Sequence, residues 1–118
     1  MGKGVIGIAS SLFTSKLGKI STNILRFTSF HKTRLSAQPD CKVITTMRND
    51  FWEEWELEKI DLNKFYIKSV AHGYYLFAAP EGFVTMSKNK KGWETWERIN
   101  HGRYNCWKCY HGTYLSAR

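Results

Sequence analysis

Near the C-terminal end of this 118-residue chain, "NCWKCYHGTYL" brings Cys106, Cys109 and His111 within six positions. Two cysteines at that spacing could form a redox pair or half a zinc site, and a histidine close behind them suggests haem attachment. Each chemistry makes a demand that can be checked. Covalent haem needs Cys-x-x-Cys-His without a gap, and Tyr110 intervenes. Structural zinc needs a second ligand pair at suitable spacing, and only Cys41 and the scattered His31, His72 and His101 are left. A redox pair works best at a helix N-terminus, where a thiolate is stabilised, whereas this stretch alternates like a strand. The expectation is therefore two small hydrophobes in a strand, with no metal and no cofactor. Three cysteines cannot pair completely within one chain, and free thiols fit a reducing, cytoplasmic setting.

Other candidates are weighed the same way. Glu54, Glu56 and Glu58 of "EEWELE" fall on one side of a strand, with Glu53 just before them. Paired carboxylates do acid–base work only across a cleft, so the run reads as a solvated strand flank. Three histidines at related positions could form a pH-sensing cluster, but the simpler reading has each one capping its own turn. No nucleophile and base recur at a useful spacing, so no catalytic residues are expected. The loop "KNKKG" offers Lys88, Lys90 and Lys91 to an acidic partner, and Tyr74 and Tyr114 near the turns could stack on a ligand.

The elements that position these residues recur along the chain. His-x-x-x-Leu begins at His31, His72 and His111, in steps of 41 and 39 residues. A second marker keeps the period: "WEEWELEKI" starts at Trp52 and "WETWERI" at Trp93. In "KFYIKSVA", Phe65 and Ile67 should face one way and Tyr66 and Lys68 the other, as in a half-buried strand. "HGYY" supplies a turn through Gly73, "YLFAA" the return strand, and Pro80 with Gly82 a second turn. "FVTMS" is the third strand and the Trp-Glu-x-Trp segment the fourth. Trp93 and Trp96 cannot share one face of a flat strand, so one belongs at a strand entrance or bulge. Within this repeat Cys106 matches Ile67 and Cys109 matches Val70.

Four short strands per unit of about 40 residues fit a propeller blade or a β-trefoil lobe, and three such units suit the trefoil. The order "HGxYL", "GxV", "WExW" resembles the fascin-like β-trefoil repeat over residues 24–118. The resemblance implies an all-β trefoil domain with units 24–63, 64–102 and an incomplete third, 103–118. It also implies a non-enzymatic module that binds actin or another cytoskeletal protein, with membrane-surface attachment as a lesser alternative. The first unit departs from the pattern, with "HKTRL" in place of "HGxYL". A lectin-type trefoil is the competing class, although the Gln-x-Trp motif common in those lobes is missing.

Charge sharpens the reading of partners. The net charge is +8, yet residues 1–39 hold six basic residues and no acid, while the remainder carries twelve basic and ten acidic residues. A spread-out footprint for nucleic acid is therefore not supported. Residues 1–23 read as a basic arm or a partial repeat, and their acid-free, Ser- and Thr-containing composition also fits a mitochondrial transit peptide. "SLFTSKLGKISTN" parallels "YLFAAPEGFVTMS", matching Leu12 to Leu76, Gly18 to Gly82 and Ile20 to Val84. Three arrangements would supply the strands that the third unit lacks: closure by the N-terminal segment, a second chain, or a longer parent protein. Oligomeric state is open at this point.

Overall fold

Period-two alternation broken by turn residues yields an all-β, antiparallel architecture. The computed structural model describes residues 5–6, 11–12, 14–16, 24–29, 31–101 and 104–117. Its strands are β1 (Val5–Ile6), β2 (Ser11–Leu12), β3 (Thr14–Lys16), β4 (Ile24–Leu25), β5 (Arg34–Ala37), β6 (Val43–Thr46), β7 (Trp55–Asp61), β8 (Lys64–Ser69), β9 (Tyr75–Ala78), β10 (Val84–Ser87), β11 (Thr95–His101), β12 (Tyr104–Cys109) and β13 (Leu115–Ala117). No α-helix occurs among the described residues, and none of them forms a helix long and apolar enough to cross a membrane.

Pairing runs β4–β7–β8–β11–β12–β3, with β9 and β10 branching from β8 and β5–β6 forming a separate hairpin. The N-terminal strands join the third unit. Thr14 to Lys16 pair with Cys106 to Tyr104, while β1 and β2 flank β13, with Leu12 opposite Ser116. Leu12 thus lies across from the second strand of a unit and does not take the place of Leu76, as the sequence parallel proposed. Gly18 and Ile20 lie outside the described residues.

The expected faces and turns are present. Phe65 and Ile67 are buried while Tyr66 and Lys68 are half-buried on the other side of β8. Gly73, Gly112 and Gly82 take positive φ at the turns, where a Cβ would be strained. Two side chains accept that strain: Lys32 (φ 64) occupies the position of Gly73 and Gly112, and Cys41 (φ 68) that of Gly82. Trp93 falls in a 3₁₀ turn, Gly92–Glu94, at the entrance to β11, so Trp96 alone of the pair points inward from the strand. The core closes on Trp55, Trp96 and Trp107. Phe27 and Phe65 set their rings edge-on against Trp107 at 5.6 and 5.8 Å.

Equivalent bonds recur between units. Trp55 and Trp96 are fully buried, and their Nε1–H groups donate to Leu35 O and Leu76 O, both at 3.0 Å. Glu53 and Glu94 are buried at the ends of their 3₁₀ turns and accept the backbone N–H groups of Asp50 and Lys91 at 2.7 and 2.8 Å. Glu53 is therefore a structural cap and not part of a solvated flank; its other oxygen accepts from Ser36 Oγ at 2.6 Å. The histidines also differ from expectation. His72 Nε2 contacts Ala37 O and His111 Nε2 contacts Ala78 O, both at 3.0 Å. A carbonyl only accepts, so Nε2 carries the proton in each ring. The rings rest on Trp52 and Trp93, at 5.7 and 5.3 Å. His72 and His111 thus join their own unit to the preceding one instead of capping their own turns.

The repeat register of the third unit slips by one residue. Trp96 stands opposite Cys109 as Trp55 stands opposite Ser69, and Arg98 faces Trp107 as Leu57 faces Ile67. Trp107, not Cys106, therefore takes the place of Ile67, and Cys109 that of Ser69. The reason is turn length: the Ser69 N–H reaches Tyr74 O, but the Cys109 N–H reaches Thr113 O, one residue sooner. Ser29, Ser69 and Cys109 all start turns, and Ser29 Oγ shares a hydrogen bond with Thr33 Oγ1 as Cys109 Sγ does with Thr113 Oγ1. Both Cys106 and Cys109 are buried in β12, as expected of strand residues, and burial raises the Cys106 thiol pKa.

Candidate functional site

The basic loop sorts its side chains by alternation. Lys88 and Lys90 turn toward tyrosines: Lys88 Nζ lies 5.7 Å from the Tyr74 ring centre, and Lys90 Nζ lies 5.8 and 5.5 Å from those of Tyr66 and Tyr75. Glu58 takes up the Lys90 charge at 3.4 Å and also accepts from Tyr75 Oη at 3.1 Å. The hydrogen bond from Lys90 Nζ to Glu58, and then the Glu58 carboxylate charge, hold the Lys90 pKa above the usual lysine value. Asn89 and Lys91 point the other way and line a groove. Of the three expected lysines, Lys91 lines this groove, while Lys88 and Lys90 lie over tyrosine rings.

That groove, about 400 Å³, is walled by Phe77, Trp93 and Tyr110 and floored at Gly92. A Cβ at Gly92 would meet the Tyr110 ring in ordinary van der Waals contact at 3.4 Å, so the ring lies directly beside the turn. In the first unit Phe51 occupies the equivalent position, and the corresponding hollow, lined by Arg48, Asp50, Phe51, Trp52 and Glu53, is only about 190 Å³. Tyr110 stands where the second unit has Val70 and Ala71. The larger groove is thus associated with one departure from the repeat, Gly92 in place of Phe51.

A second bay of about 390 Å³ opens on the other side of Tyr110, lined by Lys64, Thr95, Glu97, Lys108 and the turn from Cys109 to Gly112. Cys109 and His111 both border it. The sulfur shares a hydrogen bond with Thr113 and His111 Nε2 faces the Ala78 carbonyl, so both groups are engaged in the fold. Among the described residues no group of three His, Cys, Asp or Glu side chains could hold a metal ion.

The expected aromatic residues fall elsewhere. Tyr74 packs half-buried against the core beneath Lys88, and Tyr114, half-buried in the β12–β13 hairpin, lines neither bay. The sequence reading missed Trp93, Tyr110 and Asn89. Asn89 stands where the first unit has Arg48, whereas Trp93 repeats Trp52, so only the former was marked by a break in the repeat. No protein-family model and no curated protein matches the chain.

Proposed function

We propose that the chain is a non-catalytic binding module of the fascin-like β-trefoil kind that engages a protein partner with an acidic surface, an actin filament being the partner the sequence resemblance implies. The observation that carries this reading is the face around Tyr110, where exposed aromatic rings stand among lysines that make no ion pair with a described residue. The trefoil plan is supported by repetition: the tryptophan–carbonyl and histidine–carbonyl bonds recur from unit to unit at the same length. The N-terminal strands lie against the third unit, which accords with closure by that segment.

Filament co-sedimentation over a salt series tests the partner. Pelleting that weakens as salt rises is expected, since exposed charges are screened within about 10 Å at 0.1 M salt. No pelleting at any salt removes actin. A lectin-like reading draws on the aromatic walls and the Asn89 amide of the first bay, and specific hits on a glycan array would favour it.

A further inference from the structure

Where β7 turns into β8 and β11 into β12, the core-facing side of the sheet changes character. Register places Lys59 opposite Phe65, Arg98 opposite Trp107 and Asn100 opposite Asn105, all on the face that carries Ile67 and Trp96. Two of these depart from the repeat: Arg98 takes the place of Leu57, and Asn105 that of Phe65. Asn105 is only 4% exposed, and its Oδ1 has no hydrogen-bond partner. Arg98 is half-buried with Cζ 5.0 Å from the Phe65 ring centre, and Phe65 packs in turn on Trp107. Asn105 is the diagonal neighbour of Arg98 across the β11–β12 pair, a separation of about 7–8 Å that long side chains and one small ligand can span. No ion pair of the described residues includes Arg98 or Lys59. All ten acidic residues lie in described segments, and none supplies a counter-charge here. Glu54, Glu56, Glu58 and Glu97 alternate onto the opposite face, where Asp61 also pairs with Lys64 past a bulge, and the other five lie in turns of other elements.

We infer that Arg98 and Asn105 form a site for a small oxyanion, a phosphate or carboxylate group, with Lys59 at its rim. A guanidinium presents parallel N–H donors that match two oxygens of either group, and stacking on Phe65 fixes its plane while leaving that edge free. The Asn105 amide has no bond to hold it, so it can turn Nδ2–H toward the same ligand. A neutral ligand would leave the half-buried guanidinium without a counter-charge. A metal cation would meet two positive side chains and no carboxylate. Packing alone is better served by the Leu57 and Phe65 of the equivalent positions, since a buried amide without a partner costs stability. The site is independent of the filament reading.

The full chain is titrated with inorganic phosphate and, in parallel, with acetate at constant ionic strength, and followed by nitrogen–proton correlation spectra that resolve the Arg98 Nε–H and the Asn105 amide. Saturable shifts of both groups are expected, with a dissociation constant on the order of 1 mM. Saturation by phosphate alone assigns a phosphate-bearing ligand, by acetate alone a carboxylate, and either supports the site. Arg98→Gln should weaken binding about tenfold, and Arg98→Lys, which keeps the charge without the fork, about threefold, so the second serves if the first does not fold. Asn105→Leu should weaken binding about fivefold and yet raise Tm, because it removes an unpartnered buried amide. Lys108→Gln, on the opposite face, should leave binding unchanged. No saturable shift with either anion, full binding by folded Arg98 or Asn105 variants, or an equal loss in Lys108→Gln would overturn the assignment. A lower Tm for Asn105→Leu would show that the amide serves the fold, and would also overturn it.

Discussion

Trp96→Phe removes one hydrogen bond and a few atoms from the centre of the molecule, and its cost can be worked out from what the indole touches. Trp96 is fully buried and donates to Leu76 O at 3.0 Å. Leaving that carbonyl without its donor costs about 1–3 kcal/mol. The smaller ring leaves a cavity on the order of 40 Å³, worth about 1 kcal/mol at roughly 24 cal/mol per Å³. The total, about 2–4 kcal/mol, corresponds to a fall in Tm of roughly 10–15 °C in a chain of this size. Trp55→Phe breaks the same bond at the same length, to Leu35 O, and should cost the same within about 1 kcal/mol. Trp93→Phe alters a 40% exposed ring in the same four-residue motif and should cost less than about 1 kcal/mol. Guanidinium unfolding of the three variants, read as midpoint shifts at constant m, measures all of these. Equal losses for Trp93→Phe and Trp96→Phe, or a Trp55→Phe variant as stable as the parent, would refute the idea that the repeat is built on these two bonds.

Lys32 holds a left-handed backbone conformation at φ 64 where the other two units use glycine. Lys32→Gly should raise stability by about 0.5–1 kcal/mol, since the relieved strain of roughly 1–2 kcal/mol outweighs much of the added freedom of the unfolded chain, and thermal unfolding reads the gain. Glu58 raises the Lys90 pKa in the folded state, so the stability from this pair is fully present below the ordinary lysine value of about 10.5 and is lost as pH rises through the folded value. Replacing Lys90 with Met should therefore lower Tm at pH 8 and leave a smaller difference from the parent at pH 11 and above; a difference that grows with pH would contradict the assigned ion pair.

Local chemistry was legible in the sequence, and relations between units were not. Phe65 and Ile67 announced their buried face, and Gly73 and Gly82 their turns, because alternation and positive φ are decided within a few residues. The conflict between Trp93 and Trp96 placed one ring at the strand entrance for the same reason. The register of the third unit could not be read this way. Matching the histidines aligned the turns, but the turn after Cys109 is one residue shorter than that after Ser69, so the strand before it had to slip. The bridging role of His72 depends on Ala37, 35 residues away, and the burial of Glu53 depends on a 3₁₀ turn that interrupts what reads as one strand.

The candidate surface follows from that distinction. Residues the units share hold the fold: the buried Trp55 and Trp96, the capping Glu53 and Glu94, the bridging His72 and His111. Such residues are poor candidates for binding, because each already has a partner that the repeat requires. Departures from the repeat carry no such duty. Gly92 in place of Phe51 sets the broad, exposed Tyr110 ring beside a glycine. Lys91 in place of Asp50 reverses charge at the rim of the same groove. Two departures converging on one surface mark it as the part of the molecule least explained by folding, and hence the part where selection for a partner would act.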